Sequence, residues 1–371
     1  MIRGKVGKQV LWIGTTKENP RNGEGAFARL KDGSILYLYT QFCEANGDDH
    51  GGARLCACFS RDEGETWTEP AVMIEKDEKA QNIMSPTLFR MKNGLLGVAY
   101  DRKEYSPDGA LYCIQAFSFS EDEGKTWSPW KPIYPEKSYY CMVNDCALVQ
   151  KNGRIVIPVG TGGDGYRYFG SGVVNLISDD HGETWSRLPQ TILSPYSDSW
   201  NLQEPGLLEL DDGTLWEWFR TGYGYQYQSF SRDGGESWTR PEPNLYFSSP
   251  DSPMRVKRVG KFAVAVYNPM AYNAFSGVYE RWGSVKRAPL LCAVSEDGGR
   301  SFDSTGQTVH RGFMEPFEKR LYALETELEC SYCYPAIQET KDGFLVAYYH
   351  SDGGACLNCM KMVKVYFDEL T

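Results

Sequence analysis

The sequence has no run approaching the ~18 consecutive apolar residues that a membrane-crossing helix needs, which argues against a helical membrane protein. It also has no basic cluster. With 39 Lys and Arg against 49 Asp and Glu, the formal net charge is −10, and this argues against a nucleic-acid partner. Histidine is scarce: the four residues His50, His181, His310 and His350 show no metal-ligand spacing. No Pro/Ser/Gly-rich linker divides the chain, so residues 1–371 are read as one domain. The opening MIRGKVGKQVLWIG has an apolar run of only about four residues and no small-residue cleavage site, unlike a secretory leader. Eleven cysteines are an odd number, and several sit in strand-like runs such as LCACFS, where a thiol serves as a small hydrophobe. Together these features predict a reducing, cytoplasmic setting.

What the sequence does have is repetition. SRDEGETW (Ser60 to Trp67) returns as SEDEGKTW at Ser120 and SDDHGETW at Ser178, with weaker copies SRDGGESW at Ser231 and SEDGGRSF at Ser295. The starting serines are 60, 58, 53 and 64 residues apart, a period that signals a repeat architecture. Six turn signals mark the units: KDGS at Lys31, KNGL at Lys92, KNGR at Lys151, DDGT at Asp211, VGKF at Val259 and KDGF at Lys341. Short alternating runs such as SILYLYT, RIVIPVG and TLWEWFR surround them and read as strands. Six units of about four strands predict an all-β fold, a six-bladed β-propeller of four-stranded blades. The N-terminal QVLWIG is expected to complete the last blade beside MKMVKVYF, leaving no open edge.

The octet is predicted to be a hairpin staple. Its Asp and Ser/Thr side chains can bond nearby main chain, its Gly can take a positive φ, and its Trp offers an apolar plate between sheets. An EF-hand calcium loop would need a glutamate at the twelfth position and flanking helices, which are lacking. No metal or cofactor is therefore assigned to the octets. Cys330-x2-Cys333 and Cys356-x2-Cys359 have zinc-ribbon spacing, yet Cys333 and Cys359 fall inside apparent strands, so the reading carries no metal.

A propeller gathers its innermost strands about one axis, so ligand-binding residues are sought where those strands begin. The polar residues there are Glu24, Ser85, Asn144 or Asp145, Glu204, Ser252 and Tyr334. Here the sequence resembles the exo-sialidase (neuraminidase) family of glycoside hydrolases, six-bladed propellers carrying S-x-D-x-G-x-T-W octets. QEPGLLELDDGTLWEWFR followed by SRDGGESW is similar to the family stretch of a glutamate, an arginine and an octet, and maps Glu204 and Arg220. KRAPLLCAVSEDGG resembles the segment with an arginine eight residues before an octet serine, and maps Arg287. SYCYPAIQETKDG resembles the strand bearing the nucleophilic tyrosine, and maps Tyr334, with Tyr332 as the fallback. The acid/base aspartate of the family falls in a loop that is CEANGDDHGG here, so Asp49 or Asp48 is its counterpart. The chain departs from the family at the first arginine: PRNGEGAFARLKDG puts Gly23 or Glu24 near that register, with Arg21 close by to supply a guanidinium.

The resemblance implies a retaining exo-glycosidase acting on sialic acid or a related 2-keto acid sugar. The residue types suit that chemistry. The substrate carries a carboxylate on the reacting carbon, and a second carboxylate as nucleophile would add repulsion of about 4 kcal/mol at 4 Å and an effective dielectric near 20. A neutral tyrosine avoids this, given a base to take its proton. Arginine forks hold the substrate carboxylate against a net-negative protein. Two alternatives remain: the same fold acting on a different glycan, and a non-catalytic carbohydrate-binding propeller using the aromatic loop TGYGYQYQ (Thr221 to Gln228).

Overall fold

The structure is a computed structural model that describes residues 2–44, 47–136, 138–162, 172–196, 202–269, 287–302, 320–351 and 357–370. Among these residues it is all-β, with a single 3₁₀ turn at Phe367–Leu370 and no helix long and apolar enough to cross a membrane. Two of the residues singled out above, His310 and Cys356, lie outside the described residues.

Each alternating run of the sequence becomes a strand whose neighbours are antiparallel. The first sheet orders Arg21–Arg29, Ile35–Phe42, Ala53–Ser60 and Ala71–Ile74. The next is ten-stranded, and in it the short strand Tyr139–Cys141 joins two consecutive repeat units by pairing parallel to Leu111–Ser120 and antiparallel to Ile155–Gly162. A four-stranded sheet begins at Gln203–Glu209. A five-stranded one follows from Arg255–Val259, with Ile2–Lys5 added in parallel at its edge. The last sheet runs Tyr332–Glu339, Gly343–His350 and Cys359–Tyr366, and Lys8–Ile13 completes it antiparallel to Cys359–Tyr366. The joining of QVLWIG to the final strand is thus as read from the sequence.

The first strands of the six units pack in succession. Arg21–Arg29 meets Asn82–Arg90, which meets Leu148–Val149. That strand meets Gln203–Glu209, then come Arg255–Val259 and Tyr332–Glu339, and the last returns to Arg21–Arg29. Contacts thus pass from one first strand to the next and return to Arg21–Arg29, and the N-terminal ends of these strands meet at one pole.

The octets lie between the third and fourth strands of their units and work as the staple foreseen. The Ser60 hydroxyl donates to Asp62 Oδ1 at 2.8 Å and accepts from Gly64 N at 2.8 Å, while Asp62 Oδ1 accepts from Thr66 N at 2.9 Å. The same bonds recur at Ser120, Ser178, Ser231 and Ser295. The closing aromatic wedges against the preceding unit: Trp185 meets Phe117 edge-on with ring centroids 5.3 Å apart, and Phe302 lies 6.0 Å from Trp216. Gly182 has φ 81°, and a Cβ there would sit 2.5 Å from the Phe117 ring, so both conformation and space demand glycine.

Candidate active site

Five of the six inner strands begin with a non-glycine residue at positive φ: Glu24 (52°), Ser85 (52°), Asp145 (55°), Glu204 (42°) and Tyr334 (54°). At four of them the strand register slips, between Gly23 and Gly25, Met84 and Thr87, Gln203 and Gly206, and Cys333 and Ala336. Each bulge re-aims one side chain out of the sheet's alternation. Left-handed backbone at such residues costs on the order of 1–3 kcal/mol each, and here it recurs at equivalent points of five inner strands.

Tyr334 and Glu204, 130 residues apart in sequence, meet there. The Tyr334 hydroxyl donates to Glu204 Oε1 at 2.6 Å. Arg220 Nη1 donates to Glu204 Oε2 at 2.7 Å and lies 3.4 Å from the Tyr334 oxygen. Burial pushes the Tyr334 phenol well above its ordinary range, and the negative charge of Glu204 pushes it further, so the phenol is neutral. The other edge of Arg220 is held bidentately by Asp251, at 2.6 and 3.0 Å. Arg287 packs over the Tyr334 ring at 5.7 Å and donates to Cys333 Sγ at 2.8 Å. Among the described residues it has no carboxylate within ion-pair distance, in contrast to Arg220 and Arg21.

The other side of the pole is built on Arg21. Its guanidinium is sandwiched by Phe42 and Tyr349, at 4.6 and 4.9 Å. It donates to the Tyr349 hydroxyl at 3.0 Å, to Glu24 Oε1 at 3.4 Å, and closely to Asp49 Oδ1. Tyr349 in turn meets Tyr334 edge-on at 5.8 Å, so the two halves are contiguous. Glu24 is buried and its carboxyl accepts from the Ser85 hydroxyl. Burial raises its pKa to about 7 against the opposing pull of Arg21. Glu24 rather than an arginine thus stands at the bulge of the first inner strand, and the guanidinium arrives from Arg21, three residues earlier. Close packing fixes the exchange: a Cβ at Gly23 would sit 2.1 Å from the Tyr349 ring.

The two loop aspartates separate. For Asp49 burial works upward on the pKa, but the Arg21 charge and hydrogen bond outweigh it and hold the carboxyl below its usual range. Asp48 Oδ1 instead accepts from His50 N at 2.8 Å, shaping the turn. Asp145 is tied to Lys257 at 2.8 Å and to Ile337 N at 3.2 Å, and Asn144 donates to Gly25 O at 2.7 Å. Both brace the inner strands. Ser252 donates to Asn268 at 2.6 Å and lies 3.4 Å from Cys333 Sγ.

One expectation needs correction. Tyr332 does not share the outlook of Tyr334, because the bulge breaks the alternation on which that reading relied. It is buried in the core with its hydroxyl on Glu327 O at 3.3 Å. Cys330 faces Glu327 at 3.7 Å and Cys333 faces Arg287. The aromatic loop forms a real cluster, with Tyr223 5.5 Å from Tyr227 and 4.9 Å from Tyr196. Asp251, Tyr349 and Cys333 were missed as partners of the arginines. The one local signal was Gly-Glu-Gly at residues 23–25, which announces a side chain bracketed by close-packed backbone.

Compared with known protein families, residues 42–347 match the BNR repeat-like domain. The chain belongs to the BNR repeat-like domain family. Within it, the anhydrosialidase of Macrobdella decora is 25% identical over 243 residues, which cover 62% of this chain and 28% of that protein. The chain thus spans well under two thirds of that relative's length. The crystal structure of the intramolecular trans-sialidase from Ruminococcus gnavus, in complex with oseltamivir carboxylate, superposes with a TM-score of 0.72 at 14% identity, covering 97% of both chains. A protein of unknown function from Dyadobacter fermentans DSM 18053 gives 0.70 at 20% identity, over 98% of this chain and 100% of that one. These likenesses bear out the resemblance to sialidases read from the octets and show a shared fold.

Proposed function

We propose that the chain is a single six-bladed β-propeller of four-stranded blades acting as a retaining exo-glycosidase of sialidase type, which releases terminal sialic acid or a related 2-keto acid sugar. The ring of six inner strands supports the blade count, with the ten-stranded sheet counted as two blades bridged by Tyr139–Cys141. One observation carries the enzymatic reading: the 2.6 Å bond from the Tyr334 hydroxyl to Glu204, with Arg220 against both groups.

In this reading Tyr334 attacks the anomeric carbon as Glu204 takes its proton, and Arg220 steadies the charge that builds on the pair. Asp49 protonates the leaving oxygen and later activates water. Asp48 is a turn former. Arg287, Arg220 and Arg21 receive the substrate carboxylate; Arg287 contributes most, because among the described residues its charge is not already matched by a carboxylate. An anionic sugar that engages Arg21 draws the guanidinium from Asp49 and so raises the proton affinity of the acid. Glu24 faces the same pole, half-protonated near neutral pH, as a partner for substrate hydroxyls. The substrate is a carbohydrate. The ten described cysteines are all free thiols, which supports a reducing cytoplasmic site.

The test is hydrolysis of an aryl α-sialoside followed by ¹H NMR. Release of the α-anomer first supports the proposal. Release of the β-anomer first, or binding without turnover, overturns it. A second reading, intramolecular transfer, is favoured by the names of the leech and Ruminococcus relatives, and yields a 2,7-anhydro sugar in the same spectrum.

A further inference from the structure

Behind the loop that carries Asp49 lies a buried ammonium. Lys103, on the strand Leu96–Tyr105, is 3% exposed. Its Nζ donates to the main-chain oxygen of Asp49 at 2.7 Å and meets Met84 Sδ at 3.2 Å. Two neighbours grip the same loop from the adjacent unit. Asn82 donates to Asp49 O at 2.9 Å and to Gly51 O at 3.0 Å, and Gln81 donates to His50 O at 2.8 Å. Asn82 and Gln81 already satisfy the loop's carbonyls with neutral donors. Burying an ammonium costs several kcal/mol, so a cation here is an expensive way to do what a third amide would do.

Its charge is balanced from behind. Asp101, on the same face of the strand two residues earlier, is fully buried. Gln115 at 2.8 Å and Met142 N at 3.2 Å fix one of its oxygens, and Cys141 Sγ lies 3.2 Å from the other. Cys113 completes this polar cluster. The electrostatic neighbours of Lys103 are thus Asp101, Cys113, Cys141, His50 and Asp49, and those of Asp49 are Arg21, Lys103, His50, Glu24 and Tyr349.

We propose that Lys103 is a positioning residue that holds the Asp49 loop by its carbonyl and, through its buried charge, sets the protonation of the Asp49 carboxyl. This rests on Asp49 as the acid/base group, but the interaction is measurable without turnover. The Asp49 carboxylate is stabilised both by the guanidinium it touches and by an ammonium behind its own backbone. Substrate binding perturbs the first and leaves the second in place, so the carboxyl returns to its ionised form once the sugar carboxylate has left.

The experiment is ¹³C NMR titration of the Asp49 carboxyl in the full chain, assigned with Asp49→Asn, for wild type and for Lys103→Arg, Lys103→Gln and Lys103→Met. Lys103→Arg keeps the Asp49 pKa. Lys103→Gln keeps a donor but no charge, and raises the pKa by about one unit, a tenfold change in proton affinity. Lys103→Met raises it by as much and loosens the loop; should that variant not fold, Lys103→Gln decides alone. An unchanged Asp49 pKa in a folded Lys103→Gln protein overturns the proposal, whether or not any variant hydrolyses a sialoside. Where turnover is measurable, the alkaline limb of the kcat/KM profile, which reports the group that must be protonated to donate, shifts upward with the pKa. If the NMR shift is present but no sialoside is cleaved, the functional reading of Asp49 fails and the electrostatic link stands.

Discussion

The octet belt and the strand-end pole both depend on carboxylates, and treat them in opposite ways. In the belt, Asp122 and Asp233 lie at the surface and are pulled down to about 2, the first chiefly by the Thr126 N–H and the second by the Ser237 hydroxyl. The Ser and Thr partners of the octets' third-position aspartates, such as Asp122 and Asp233, lie within four residues of them. At the pole, Glu24 is pushed up to about 7 by burial, and its partners come from Arg21, Ser85 and Tyr349, the last 325 residues away. A carboxylate served by its own turn can be copied from unit to unit. One served by its own strand and two others exists only where the fold assembles it.

The contrast can be broken at several points. The largest effect is expected at the nucleophile: Tyr334→Phe should lower kcat by at least about 1,000-fold while the Kd for a dehydrated sialic acid analogue stays within about threefold. Steady-state kinetics beside calorimetry reads both, and an unchanged rate moves the nucleophile elsewhere. Arg287→Met should cost about 100-fold in kcat/KM on an anionic glycoside, in line with about 2–5 kcal/mol for removing one partner of a buried charge contact. An equal loss on a neutral aryl glycoside would mean that Arg287 does not read charge. In the belt, Asp62→Ala should leave kcat/KM untouched and remove about 1–2 kcal/mol of stability in urea unfolding, the value of the turn bonds it accepts.

The smallest effect is a pair of opposite slopes in stability against pH. Depressed carboxylates such as Asp122, Asp233 and Glu63 add stability above their unfolded pKa near 4, and it is lost as pH falls toward 2. Glu217 behaves inversely. It is fully buried with Asn175 donating at 3.1 Å, and burial raises it to about 8. Protonated in the fold, it loses stabilisation as pH climbs from about 4.5 through 8. Glu217→Gln should flatten that upper slope in melting temperature and leave the acid limb unchanged; parallel curves for both proteins would show that Glu217 is ionised in the fold.

The octet turn was legible because its Ser–Asp–Thr bonds span four residues, so the sequence window contains that staple. Strand alternation and turn glycines announced an all-β chain of repeats, and the fit of Lys8–Ile13 beside Cys359–Tyr366 followed from the need to close an edge. Tyr334, Glu204, Arg220 and Arg287 were found through family resemblance, and the structure brings all four together. The choice between Asp48 and Asp49 was not legible, because it depends on which side chain the loop turns toward Arg21. Nor were Asp251, Tyr349 and Lys103, whose importance arises only from contacts across strands. Tyr332 misled because a one-residue bulge inverts the face on which a period of two places a side chain.

The strand Lys8–Ile13 leaves the ribosome long before its partner Cys359–Tyr366. During synthesis the early segment must wait, unpaired, for more than 340 residues of chain to follow it. The clasp is therefore the slowest contact to form, in the sense that loop closure sets the pace. It should also be the first seam to open under load, and hydrogen exchange that starts at Lys8–Ile13 would reveal it.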